Sequence, residues 1–173
     1  MEEKKLKSLR AMAMTLGITG SATMLHSLLL ECFSYADSAA GHTAICMFQY
    51  LDVKMTIVFG LLEMSIIFSL LSFAVPQILV GSFTGLWTGL MCWDILKRST
   101  EMMVNLGLGM YMFILSAVLF MVSGIIFVVI ANKQKAFGID DRKPALFRKL
   151  EVFCSIMLGI SIVLISAFEL IKY

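Results

Sequence analysis

Charge is what this sequence has least of. Only 15% of its 173 residues are Asp, Glu, Lys or Arg, against about a quarter in an ordinary soluble domain. A soluble fold of this size must present a wet exterior, and a chain that is 60% hydrophobic has too little polar surface to make one. The deficit excludes a soluble enzyme and a disordered regulator. A net charge of +2 supplies no stripe to neutralise phosphates, which excludes a nucleic-acid binder. Histidine is nearly absent, with only His26 and His42, and proline occurs only at Pro76 and Pro144. No Walker-type loop, Gly-x-Ser-x-Gly, His-Glu-x-x-His, Cys-x-x-Cys or Asn-x-Ser/Thr occurs. Hydrolytic or redox chemistry has little to work with here, so no catalytic residue, metal site or cofactor is assigned.

Long apolar runs take the place of the missing charge. They cover residues 11–30, 53–96, 102–131 and 152–171. A spanning helix takes about 20 apolar residues, so the second run holds two, with Pro76 near the turn between them. The expected fold is all-α, a polytopic integral membrane bundle forming a single domain over residues 1–173. Its spans are expected near residues 11–31, 53–73, 77–96, 102–131 and 150–171. An outer loop, 31–52, and a basic cytoplasmic loop, 132–149, complete it. The fourth span is long and must tilt or extend beyond the lipid. Four spans, with 76–101 re-entrant or lying on the surface, is the alternative.

The few charges then set orientation. Lys4, Lys5, Lys7 and Arg10 precede the first span, and Lys133, Lys135, Arg142, Lys143, Arg148 and Lys149 fill or border the 132–149 loop. The 31–52 loop carries no Lys or Arg, only Glu31, Asp37 and Asp52. Short basic segments stay cytoplasmic, and both can do so only if an even number of crossings separates them. Five spans satisfy that, with the N-terminus inside and the C-terminus outside, although Lys54, Lys97 and Arg98 then fall on the outer side. The first span reads as a retained signal-anchor, because its apolar run is longer than a cleavable signal's.

On this topology Cys32, Cys46 and Cys92 share the outer side, where an oxidising compartment would join two of them in a disulfide. The other reading is free thiols acting as small hydrophobes. His42 and Cys46 stand at i, i+4, but the spacing matches no established metal motif. The methionines are spread along the helices as apolar filler.

Glu63 is the one carboxylate deep within an expected span. A carboxylate at the bilayer centre is costly and should face protein or water rather than lipid. Ser21 and Thr23 on the first helix and Thr84 and Thr88 on the third lie at similar depth. Glu63 could bond one of them as inter-helical glue, act as a proton or cation site, or meet a partner protein. Gly81, Gly85 and Gly89, four apart, form a flat groove for a closely approaching helix, internal or foreign.

The function these features suggest is a small non-enzymatic accessory or assembly subunit of a larger membrane complex. The alternative is a small oligomeric transporter or channel subunit using Glu63. Expected partners are the lipid bilayer and other membrane subunits or further copies of the chain.

Overall fold

A computed structural model describes residues 2–37, 41–46, 49, 55–98, 104–136 and 145–171. Five helices and three short strands make up the described elements: α1 (Glu2–Leu29), β1 (Glu31–Asp37), β2 (Gly41–Cys46), α2 (Met55–Leu71), α3 (Ala74–Arg98), β3 (Val104–Leu106), α4 (Leu108–Ala136) and α5 (Ala145–Ile171). The chain is thus a mainly helical bundle. Among the described residues, three helices are long and apolar enough to cross a membrane, over Ala74–Lys97, Leu108–Ala136 and Leu146–Ala167. The apolar stretch of α2, Thr56–Leu71, is shorter.

The hairpin between α2 and α3 turns at Ser72, earlier than Pro76. Ser72 has φ 56°, a left-handed conformation that a non-glycine residue adopts at a cost of roughly 1–2 kcal/mol. The turn closes as a Schellman cap: Phe73 N–H donates to Phe68 O (2.9 Å) and Ser72 N–H to Ser69 O (3.2 Å). Phe68 and Phe73 stack across it with ring centroids 6.1 Å apart, the apolar contact that usually accompanies this cap. The turn is also held from outside. Arg10 Nε of α1 donates to Ser72 Oγ (2.9 Å), and Ala74 N–H, at the start of α3, donates to Glu151 Oε1 of α5 (2.8 Å). Pro76 sits in the first turn of α3, where its missing N–H has no helical partner to lose.

Side-chain partners fix the direction of each helix. On α1, Gly17 lies against Ser123, Gly20 against Phe120 and Ser27 against Gly109, so α1 and α4 run antiparallel. Arg10 meets Ser72 and Ser21 meets Ser65, so α1 and α2 are antiparallel as well. Between α3 and α4 the backbones nearly touch at two points. A Cβ on Gly81 would lie 2.8 Å from Met121 N, and one on Gly124 would lie 2.9 Å from Ile78 N. Each helix therefore carries one notch that admits the other's backbone. Phe73, Phe113, Phe120 and Met24 fill the centre and are fully buried. The last helix, α5, is peripheral: Leu158 is its only buried hydrophobic side chain among the described residues. Glu151 meets the start of α3 while Ile165 lies beside Phe83 and Trp87 farther along it, so α5 runs parallel to α3.

At the other end of the bundle sits a small antiparallel sheet of order β2-β1-β3. Pairs Tyr35↔Thr43 and Ser34↔Ala44 join β1 to β2, and Phe33↔Leu106 and Tyr35↔Val104 join β1 to β3. The expected outer loop is therefore partly strand, and the expected 102–131 helix begins only at Leu108. Gly107 N–H donates to Cys32 O (2.8 Å), which ties the start of α4 to β1.

Candidate functional site: the outward face around Glu63

Glu63 is the midpoint of α2, eight residues or roughly 12 Å from either end. The helix buries Val58, Leu61, Ser65, Phe68 and Ser69 against its neighbours. Glu63 lies on the opposite side and is exposed. Phe59 (42% exposed), Ile67 (51%) and Leu70 (52%) continue its stripe at helical spacing. Gly60, one turn away, has open space where a side chain would stand. The carboxylate thus sits alone in an apolar, outward-facing surface, without a hydrogen-bond or ion-pair partner among the described residues.

The four hydroxyls expected at its depth are engaged elsewhere. Ser21 Oγ donates to Gly17 O (3.1 Å) and lies 3.2 Å from Ser65 Oγ. Thr23 Oγ1 donates to Thr19 O (2.9 Å), Thr84 Oγ1 to Val80 O (2.8 Å) and Thr88 Oγ1 to Thr84 O (2.6 Å). Thr84 and Thr88 are buried within the bundle, away from the surface that carries Glu63. The residues proposed for one pathway are therefore not brought together.

The polar centre inside the bundle belongs to residues the sequence reading passed over. Gln77 Nε2 donates to Ser65 Oγ (3.2 Å), which joins Gln77, Ser65 and Ser21 across three helices. Ser123 Oγ donates to Ala13 O (2.8 Å) and ties α4 to α1. Gln77 Oε1 and Ser69 Oγ are buried without a hydrogen-bond partner. The signal for this network was the spacing of Ser65 and Ser69 along α2, which marks the inward face of an otherwise apolar helix.

Of the glycine groove, only Gly81 is tightly packed, against α4 of the same chain. Gly85 approaches Ala117 Cβ at an ordinary 3.8 Å, and Gly89 has nothing near it. The disulfide expected among Cys32, Cys46 and Cys92 is not formed: all are free thiols, none at bonding distance from another. Cys32 is the bulge residue of β1, beside the Glu31↔Cys46 pair, and is fully buried. Burial, then the nearby Cys92 and Cys46 thiols, push its pKa up to about 12, so it stays protonated and inert. No group of His, Cys, Asp and Glu among the described residues could hold a metal ion. Residues 137–144 of the basic loop, and residues 38–40, 47–48 and 50–52 of the outer loop, lie outside the described residues.

Compared with family models, with curated proteins and with solved structures, the chain matches none.

Proposed function

We propose that this chain is a five-span, non-enzymatic assembly subunit, which docks other membrane-embedded protein through the outward face of α2. The observation that carries the reading is Glu63, exposed at mid-helix in an apolar surface. A lone carboxylate facing hydrocarbon is strongly disfavoured, and such residues are almost always satisfied by protein or water. Its own bundle does not supply that partner, and a neighbouring chain would.

Five spans are supported by packing. Because α1 and α2 lie alongside α4 and α3, they occupy the same slab as helices long enough to cross. The basic residues lean to one end. Arg10, Lys133, Lys135, Arg148 and Lys149 belong to the end holding the Ser72 turn, against Lys97 and Arg98 at the sheet end, where α3 finishes and Glu31 lies. By the positive-inside tendency the Ser72 end is cytoplasmic, and with it the N-terminus.

The test is native isolation with paired reconstitution. Wild-type chain should run in an assembly larger than itself, and Glu63→Leu should release it while keeping its helical spectrum. A wild-type chain that runs alone, or one that conducts ions in proteoliposomes and loses the flux in Glu63→Gln, would favour the transport reading instead.

A further inference from the structure

The outward face of α2 has a neighbour that bears on what covers it. His26, on α1, is also exposed. Ser21 faces Ser65 between these antiparallel helices, so His26, five residues past Ser21, lies close in depth to Glu63, two before Ser65. The offset is three residues, roughly 4.5 Å along the axis, within the combined reach of the two side chains. Both point away from the bundle on adjacent helices, so a single flat contact could cover the pair.

The two groups are chemically complementary. His26 Nδ1 lies 2.8 Å from Ala22 O, and a carbonyl can only accept, so Nδ1 carries the proton. That leaves Nε2 as a free acceptor, with no partner among the described residues. A Glu63 carboxyl proton donated to Nε2 gives a pair holding one shared proton. The pair is neutral overall whether the proton rests on oxygen or on nitrogen, which is the state a hydrocarbon surrounding tolerates best. A foreign helix would have to bring such a group, whereas this chain already carries one.

The surface beside His26 mixes small and large residues. Along α1 the exposed strip Ala11, Thr15, Thr19 and Ala22 is small, and small residues let helices approach closely in lipid, while the larger Met12, Ile18, Leu25 and Leu29 flank it. Outward side chains on α5 are mostly large, such as Phe153 (60% exposed), Val163 (66%) and Leu164 (64%), as suits contact with acyl chains.

We infer that the outward face of α1 and α2 docks a second copy of this chain about a two-fold axis along the helices, with Glu63 of each protomer paired to His26 of the other. The contact is isologous, so the pair forms twice. The inference rests on the reading that Glu63 faces protein, and it names that protein.

The test uses the full chain, purified, labelled with donor and acceptor dyes and reconstituted in phosphatidylcholine vesicles over a range of dilutions. Energy transfer reads association. Wild type should dimerise, and Glu63→Leu and His26→Leu should each weaken the dimer roughly tenfold. The double variant should be no weaker than either single one, because each removes the same pair. Both residues are exposed, so helical content and melting of the monomer should not change. A wild-type chain that stays monomeric at every dilution overturns the inference, as do single variants that dimerise like wild type or losses that add in the double variant. If Glu63→Leu releases a native assembly while the purified wild type is monomeric, the second-copy inference falls and the assembly reading stands. If the dimer forms but the native chain contains nothing else, the inference stands and the larger assembly does not.

Discussion

Ser65 and Glu63 are two residues apart on α2 and face opposite sides of the bundle. Ser65 is fully buried, with its Oγ 3.2 Å from Ser21 Oγ and 3.2 Å from Gln77 Nε2, while Glu63 is exposed. Two residues turn a helix by about 200°, so one position cannot share the role of the other. The inter-helical glue expected of Glu63 belongs to Ser65. The carboxylate is left for whatever lies outside.

Stability should therefore respond to the two residues in opposite ways. Ser65→Ala leaves Gln77 Nε2 buried without an acceptor and should destabilise the bundle by roughly 1–2 kcal/mol. Glu63→Gln should leave monomer stability within about 0.5 kcal/mol, as exposed substitutions usually do. Thermal melting of the two purified variants in detergent measures the difference.

The helix notches make a second contrast. Leu at Gly81 or Gly124 must displace backbone atoms of the facing helix, at a cost of roughly 3 kcal/mol or more, and should abolish folding or expression. Leu at Gly89, where nothing lies within 4 Å, should fold normally. Fluorescence-detected size exclusion of the three variants separates these outcomes.

The Ser72 turn stores left-handed strain and is held by Arg10. Ser72→Ala keeps the strain and loses the bond, and should cost roughly 1 kcal/mol. Ser72→Gly loses the same bond but relieves the strain, so it should be close to neutral. Equal melting temperatures for the two variants would show that the backbone conformation contributes nothing.

Cys32 should resist alkylation. With its pKa near 12 against an ordinary thiol near 9, its thiolate fraction at about pH 8 falls roughly a thousandfold, and burial slows it further. The folded-state pKa is raised, so the stabilisation is fully present below the unfolded value. It is lost as pH climbs from the unfolded pKa through the folded one, because the unfolded thiol releases its proton first. Mass-spectrometric footprinting with maleimide should label Cys46 well before Cys32. Labelling of both at one rate would contradict the burial.

Much of the fold was legible in composition. The apolar runs give the helices. Which side of α2 faces inward was harder to read, because the helix is apolar nearly all round and offers no amphipathic stripe. Only the serines at 65 and 69 mark the buried side by polarity, and serine in a membrane helix is too weak a signal to outweigh a carboxylate. The sheet was hidden for a different reason. Residues 31–46 hold small and polar residues without strict alternation, and β3 has three residues, so pairing between distant segments decides the structure there. Gly81 and Gly89 look alike in sequence, and only the position of α4 separates the packed one from the open one.

If α2 docks protein, the surface around Glu63 meets protein while the outer surface of α5 meets lipid. A photo-cross-linking side chain at Ile67, one turn from Glu63, and another at Val163 on α5 test it in native membranes without altering Glu63. A discrete protein adduct is expected from Ile67 and lipid adducts from Val163. Lipid adducts alone from Ile67 would overturn docking through the α2 face.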